Sequence, residues 1–277
     1  HVTSLLHRIE TTDTGVLVTP TLSFDERGHQ VNHMTYYCVG WSGNGEKPVD
    51  FYPTAEDFVG EGGNFERPYA IVKNAEGVKA GTKIEGLEAV GGLHFSEITL
   101  EPEEECSYLI FTGITEDIQE IRNLSKTYTT REKVLEELEK TKAYWQEKVN
   151  VAYHTGDSDF NQFMHWVSFQ PILRRIYGCS FLPHHDYGKG GRGWRDLWQD
   201  CLALLIMNPD GVRQMLLDNF AGVRIDGSNA TIIGSKQGEF VADRNNITRV
   251  WMDHGVWPMI TTKFYIDQTG DLELLEK

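Results

Sequence analysis

Residues 196–211 read Asp196-Leu-Trp-Gln-Asp-Cys-Leu-Ala-Leu-Leu-Ile-Met207 followed by Asn208-Pro-Asp-Gly211, an apolar helical stretch that ends at a tight turn. Two more helical stretches follow, Val212 to Phe220 and Trp257 to Thr269, and Gly270 closes the last of them. Consecutive helices joined by alternating short and long connections are typical of an α/α toroid. We therefore predict that residues 151–277 form the N-terminal part of an (α/α)6 barrel.

The chain ahead of this region changes from β-patterned to helical. Four short segments rich in β-branched and aromatic residues, separated by glycine turns, predict an antiparallel β-sandwich domain over residues 1–114. Residues 115–150 predict a helical linker, because Val134, Leu138 and Trp145 recur at helical spacing among Glu and Lys pairs. The four β-patterned segments are Gly15–Pro20, Val31–Val39, Gly92–Leu100 and Ser107–Gly113. The fold class is thus multidomain, α and β.

Composition and charge exclude several partners. The chain has 277 residues, 40% of them hydrophobic, and a formal net charge of -15. Such an acidic balance opposes binding to nucleic acid or to anionic membranes, and no apolar run is long enough to span a bilayer. The four cysteines show no metal-binding spacing and predict a reducing, cytoplasmic setting. The chain starts at His1 and stops in a fresh apolar pattern, so we expect a piece of a longer polypeptide.

The richest concentration of functional side chains is Tyr187-Gly-Lys-Gly-Gly-Arg-Gly-Trp-Arg-Asp-Leu-Trp-Gln-Asp200. Its glycines let a ligand approach the backbone closely, and Arg192 and Arg195 can fork onto phosphate or vicinal hydroxyls. Lys189 would act as a point charge on phosphate. Flat faces for a sugar ring are expected from Trp194 and Trp198. Asp196 can accept hydrogen bonds from sugar hydroxyls, and it also suits the N-cap of its own helix.

A second polar segment, Gly238 to Trp257, also precedes a helix and would share a rim of the toroid with the first. Its candidates are Asp243, Arg244, Asp253 and His254, although either aspartate could simply be an N-cap. A metal site is not expected. His184 and His185 are adjacent in a loop, and no further ligand is spaced to join them. Asp57 to Gly63 lacks the Lys-Ser/Thr ending of a phosphate loop and predicts a surface turn.

At these motifs the sequence resembles the cellobiose phosphorylase family, glycoside hydrolase family 94. The stretch from Tyr187 to Asp200 is similar to the family's Tyr-Gly-Arg-Gly, Gly-Phe-Arg-Asp and Gln-Asp elements. The segments Trp251-Met-Asp-His-Gly-Val-Trp-Pro258 and Tyr265-Ile-Asp-Gln-Thr-Gly-Asp271 are similar to a later segment of the same family. The sequences of residues His29 to Tyr37 and Gly234 to Phe240 most resemble those of the 1,2-β-oligoglucan phosphorylases. The resemblance implies a β-sandwich, a linker helix and an (α/α)6 barrel, in the same order as above.

The resemblance also implies an activity: inverting phosphorolysis of a β-linked glucan or gluco-oligosaccharide to α-glucose 1-phosphate. Arg195 and Asp196, with Trp194, would hold the terminal sugar, and Lys189 or Arg192 would contact phosphate. The implied general acid is an aspartate of a later Trp-x-Asp motif, which we expect beyond Lys277, so this chain alone is expected to be inactive. Inorganic phosphate is the co-substrate, no cofactor or metal is implied, and a homodimer is expected.

Two other functions remain open from the sequence. A β-glucan hydrolase on the same α/α scaffold would need a second carboxylate to activate water, and Asp243 or Asp253 could supply it. A non-catalytic carbohydrate-binding module with a helical extension would need no catalytic carboxylate. The density of Arg, Asp and Trp between residues 192 and 198 favours an enzyme over such a module.

Overall fold

The computed structural model describes residues 7–25, 28–177, 192–230, 232–233, 240–241 and 253–277. The described chain forms two compact units, and the break between them falls after Lys140. The first is mainly β-structure and the second mainly α-helical, as the residue patterns predict. Among the described helices, none combines the length and the apolar character that crossing a bilayer requires.

The first unit is built on a five-stranded antiparallel sheet with the strand order β7-β1-β2-β5-β9. Two further strand pairs, β3 with β4 and β6 with β8, accompany it. Two single-turn helices, α1 and α2, follow β6. The element bounds are β1 His7–Thr11, β2 Gly15–Pro20, β3 Leu22–Asp25, β4 Gly28–Val31, β5 Thr35–Ser42, β6 Asp50–Thr54, α1 Ala55–Val59, α2 Tyr69–Lys73, β7 Lys83–Glu85, β8 Ala89–His94 and β9 Tyr108–Thr115.

Both faces of the five-stranded sheet are covered, because successive side chains of a strand point to opposite faces. On one face, Ile9 and Val16 pack with Phe51 of β6. On the other face, Val39 and Trp41 of β5 pack against Ile121 of helix α3, Ile118–Thr127. The linker predicted from sequence therefore begins with a helix, α3, that covers one face of the sheet. Asp57–Gly63, predicted to be a surface turn, is in part helical, since α1 extends to Val59.

Gly15 of β2 lies directly against the backbone of β5, and substitution there is predicted to be costly. A Cβ at this position would lie 2.1 Å from the Cys38 carbonyl oxygen and 2.6 Å from the Val39 Cα. Backbone atoms of a paired strand cannot move aside, so Gly15→Ala is expected to lower the free energy of unfolding by about 1–3 kcal/mol. The control is Gly156→Ala, where a Cβ meets nothing within 4 Å. Equal denaturant midpoints for the two variants would contradict this prediction.

Helix α4, Arg131–Lys148, carries residues of both cores. Its Val134 packs into the sheet-and-α3 core of the first unit. Its Trp145 packs against the core of the second unit and meets the Phe169 ring edge-on, with 4.5 Å between the ring centroids. The predicted linker helix is thus present at its predicted position.

The second unit is organised around helix α6, Trp194–Met207, which contacts helices α5, α7 and α8. Helix α5 runs from Ser158 to Tyr177 with Pro171 inside it. The other bounds are β10 Arg192–Gly193, α7 Val212–Phe220, β11 Ile232–Ile233, β12 Phe240–Val241, α8 Val256–Thr269 and a 3-10 helix Leu272–Glu276. A left-handed Gly270, with φ of 72°, ends α8 as the sequence predicts.

Candidate active site

Helix α6 presents Arg195 and Asp196 in its first turn. The helix begins at Trp194 with Gly193 as its N-cap, and no side chain caps it. The prediction that Asp196 could cap this helix was therefore wrong: Asp196 lies inside the first turn, where the partial positive charge of the helix N-terminus stabilises a carboxylate. Gly193 leaves room for that carboxylate, since a Cβ there would lie 2.6 Å from Asp196 Oδ2.

Arg195 reaches Asp253, which precedes α8 and is 58 residues away in sequence. The Arg195 Nη1 lies 3.2 Å from the Asp253 Oδ2, and both side chains remain well exposed. The same oxygen accepts a hydrogen bond of 3.1 Å from the Trp257 indole nitrogen. The Trp257 hydrogen bond and then the Arg195 guanidinium lower the pKa of the Asp253 carboxyl. The fold thus brings Arg195 of the first polar segment into contact with Asp253 of the second.

His254 joins the same cluster from the buried side. Its backbone carbonyl accepts a hydrogen bond of 3.0 Å from the Trp194 indole nitrogen. The Asn229 Nδ2 lies 3.2 Å from the His254 Nδ1, and because an amide nitrogen only donates, Nδ1 is the acceptor and the ring proton sits on Nε2. Burial lowers the pKa of His254 and so favours the neutral ring. The backbone carbonyl of His254 anchors Trp194 independently of the ring.

A cavity of about 570 Å³ opens beside this cluster, between α8 and residues 220–229. Trp194, His254 and Asn229 form part of its wall, and most of the remaining wall is apolar. Trp194 is only 1% exposed, so the open flat face for a sugar ring that the sequence predicts there is absent, and the residue contributes only to the wall of the cavity. Thr262 also lines the cavity, and its buried hydroxyl has no hydrogen-bond partner among the described residues.

Trp198 does not face a ligand, and the prediction of a sugar-stacking surface there was wrong. It is 0% exposed and meets the rings of Trp194 and Phe220 edge-on, at centroid distances of 5.6 and 5.0 Å. Its position follows from helical geometry, because residues four apart share a face of the helix. Trp194, Trp198, Cys201 and Leu205 form one buried stripe on α6.

Asp200, the last residue of the glycine-rich motif, is a structural residue that the sequence analysis did not single out. Both of its carboxylate oxygens lie 2.9 Å from the Nε of Arg174 on α5. The Asp200 side chain is 9% exposed and that of Arg174 30%, so the ion pair joins α5 to α6 with its carboxylate buried and its guanidinium partly in water. A forked Arg–carboxylate pair of this kind is among the stronger protein hydrogen-bonded pairs. Within the described part of the motif, Arg195 is therefore exposed and Asp196 half-buried, whereas Trp194, Trp198 and Asp200 are buried.

Asp271, from the second recognised motif, clamps the end of α8. Its Oδ2 accepts hydrogen bonds of 2.8 Å from the Tyr265 hydroxyl and 2.8 Å from the Arg213 Nε on α7. The hydrogen bond from Tyr265 and then that from Arg213 lower the pKa of the Asp271 carboxyl. This aspartate is thus a structural member of the helical unit and lies outside the Arg195 cluster.

The Asp271 clamp predicts an acid-dependent loss of stability. A carboxyl whose folded pKa is depressed stabilises the fold above its ordinary value of about 4, and this contribution disappears as the pH falls through the folded pKa. Asp271→Asn is therefore expected to lower the free energy of unfolding at pH 7, with the difference from the parent chain shrinking below about pH 4. Denaturant unfolding across this range measures it. Asp267→Asn, an exposed aspartate of the same motif, is the control, and a pH-independent difference for Asp271→Asn would contradict the prediction.

Two family models match successive parts of the chain. Residues 10–131 match the glycosyl hydrolase 94 supersandwich domain, and residues 144–277 match the glycosyl hydrolase 94 superfamily catalytic domain. Together they leave out only the first nine residues and residues 132–143. The chain belongs to glycosyl hydrolase family 94.

A curated relative gives a more distant comparison. The cyclic beta-(1,2)-glucan synthase NdvB of Rhizobium meliloti (strain 1021) is 24% identical over 246 residues, which cover 87% of this chain and 8% of that protein. The chain thus spans less than a tenth of this relative's length. The family 94 matches agree with the architecture predicted from sequence: an antiparallel β-domain, then the start of a helical catalytic domain.

The family 94 resemblance places a general acid in a Trp-x-Asp motif, and Trp251-Met-Asp253 has that spacing. The environment of Asp253 is unsuited to the role. A general acid at neutral pH needs a raised pKa, whereas Trp257 and Arg195 lower the pKa of Asp253. Asp253 Oδ2 already accepts from two donors, and the location of the general acid beyond Lys277 stays a prediction.

Several residues discussed in the sequence lie outside the described part of the chain. These are Lys189, His184, His185, Asp243 and Arg244. Arg192 is described only in its backbone, where it pairs with Ile233 in the small sheet of β10, β11 and β12. Across the described ranges, no group of three or more His, Cys, Asp or Glu is arranged to hold a metal ion.

Proposed function

We propose that this chain belongs to an inverting phosphorylase that cleaves a β-linked glucan or gluco-oligosaccharide. It supplies residues that bind the terminal sugar and the phosphate. The observation that carries the proposal is the match of residues 144–277 to the glycosyl hydrolase 94 catalytic domain. The cluster of Arg195, Asp196 and Asp253 at the first turn of α6 supports it, because exposed cation and carboxylate groups together can bind vicinal hydroxyls.

In this reaction one phosphate oxygen attacks the anomeric carbon as the bond to the leaving oxygen breaks. A general acid delivers a proton to the leaving oxygen, so the products are α-glucose 1-phosphate and a shortened glycan. Phosphate is itself the nucleophile, and a second carboxylate that activates water is unnecessary. Asp253, the described candidate for that second carboxylate, instead accepts hydrogen bonds from Arg195 and Trp257.

Each predicted site residue has one role in the proposal. Arg195 and Asp196 bind the hydroxyls of the terminal glucose, and Trp194 forms the apolar wall beside them. Lys189 or Arg192 contacts phosphate, the co-substrate. No cofactor or metal takes part, and the general acid belongs to a later part of the catalytic domain. The 277-residue chain by itself is accordingly expected to release no product.

The substrate subclass, assembly and location are further parts of the proposal. A relative named for cyclic beta-(1,2)-glucan supports β-1,2-linked glucose as the substrate, and so does the resemblance to 1,2-β-oligoglucan phosphorylases. The assembly proposed is a homodimer in the cytoplasm. Light scattering on the purified protein measures the oligomeric state, and fractionation of the source cells measures the location.

Phosphate dependence tests the activity. The protein expressed from its whole natural gene is incubated with β-1,2-gluco-oligosaccharides, with and without inorganic phosphate. The products are identified by NMR. The proposal expects α-glucose 1-phosphate that forms only when phosphate is present. Release of free glucose at the same rate without phosphate would instead establish the hydrolase, and binding without cleavage would establish a carbohydrate-binding module.

A further inference from the structure

We propose that Asp253 is a positioning residue: it holds the Arg195 guanidinium in the orientation that binds the terminal sugar. The inference rests on the proposed function for Arg195, and it adds a role for a residue that the family resemblance does not assign. It starts from the contact of 3.2 Å between Arg195 Nη1 and Asp253 Oδ2.

Asp253 is itself held firmly. Its backbone carbonyl accepts hydrogen bonds from the amide nitrogens of Val256 and Trp257, at 3.1 and 3.3 Å, as α8 begins. Its Oδ2 accepts the 3.1 Å bond from the Trp257 indole. A carboxylate held by an indole donor, on a residue whose main chain is itself hydrogen-bonded, can restrain a long, exposed guanidinium, whereas a mobile carboxylate could not.

Stability does not explain the pair. Arg195 and Asp253 are 53% and 41% exposed, and ion pairs between such exposed groups contribute little to folding because water screens them. The restraint instead lowers the entropy that the Arg195 side chain would lose when a ligand binds, which improves affinity. The contact uses one terminal nitrogen, so the other N–H donors of the exposed guanidinium remain available to a ligand.

The charge of Asp253 also fits a neutral ligand. A guanidinium already paired with a carboxylate is partly neutralised, so it attracts phosphate less strongly than an unpaired one does. The pairing leaves the directions of the guanidinium N–H donors unchanged. Arg195 is therefore suited to sugar hydroxyls, and the phosphate contact is left to another cation such as Lys189 or Arg192.

Calorimetric titration of the naturally encoded protein with a β-1,2-gluco-oligosaccharide tests this role. Asp253→Asn keeps an acceptor for Trp257 but loses the charge that holds Arg195. The dissociation constant and KM for the oligosaccharide are expected to rise about tenfold, while kcat changes less than about threefold, because ground-state binding is what weakens. In an Arg195→Ala background, Asp253→Asn is expected to change the dissociation constant no further.

Two more variants keep the test decisive. Trp257→Phe removes the indole donor and retains the carboxylate, so it is expected to give a smaller rise in KM even if Asp253→Asn folds poorly. Asp13→Asn, an exposed aspartate paired with Lys47 in the first unit, is the matched control and is expected to leave KM unchanged.

Specific outcomes would overturn the inference. Unchanged oligosaccharide affinity in Asp253→Asn would do so, and so would an equal loss in the presence and absence of Arg195. A protein that binds no oligosaccharide would also overturn it, since there would be no sugar to position Arg195 for. If cleavage occurs without phosphate, only the proposed phosphorolysis fails, because the Arg195–Asp253 coupling is still measured by binding.

Discussion

Trp198→Ala is expected to lower the free energy of unfolding of the helical unit by about 3–5 kcal/mol, the range for truncating a fully buried Trp. Trp198 is 0% exposed, and its ring meets those of Trp194 and Phe220. Its backbone carbonyl also accepts a hydrogen bond of 3.2 Å from Thr261 of α8. The substitution leaves a cavity where α6, α7 and α8 meet. Denaturant unfolding followed by far-ultraviolet circular dichroism measures the loss.

The matched control for that variant is Trp166→Ala. Trp166 lies on α5 and is 59% exposed, so its removal is expected to cost about 1 kcal/mol or less. Both variants remove the same side chain, and only burial differs. Similar costs for the two would show that Trp198 is not in the core.

Arg174→Met is expected to lower the free energy of unfolding by about 3–5 kcal/mol, because it leaves the buried Asp200 carboxylate without its guanidinium. The Arg174 side chain is 30% exposed and that of Asp200 is 9% exposed, so water compensates the lost charge only in part. Replacing both partners removes the uncompensated charge. The double variant Arg174→Met/Asp200→Leu is therefore expected to recover most of the loss.

The control for the buried ion pair is Arg122→Met, at an exposed arginine of α3. It is expected to shift stability by no more than about 0.5 kcal/mol. If the double variant were no more stable than Arg174→Met alone, the loss would come from packing rather than from the unpaired carboxylate, and the prediction would be wrong.

The order of the elements could be predicted because it depends on local patterns. Alternation predicts strands, helical spacing predicts α4, α6, α7 and α8, and Gly270 predicts the end of α8. Burial was harder to predict, since a periodic stripe shows which residues share a face but not what covers that face. Phe163 lies on an apolar stripe of α5 and is nevertheless 60% exposed, whereas Trp198 lies on a stripe that is fully buried.

The candidate site was predicted in its parts but not in its arrangement. Arg195 stood out through its glycine-rich surroundings, and Asp253 through its polar segment. Their ion pair joins residues 58 positions apart, and only the packing of α6 on α8 brings them together. The buried pairing of Asp200 with Arg174 had no sequence signal of its own, because an aspartate on a helix is usually solvated.

Helix α4 has a consequence for how the chain unfolds. It supplies Val134 to one core and Trp145 to the other within a single run of hydrogen-bonded turns. Unfolding of either core removes packing from one end of α4. The turns of α4 at that end are then expected to fray. The N-terminal part of α4 is therefore expected to lose helical order with the first core, and its C-terminal part with the second.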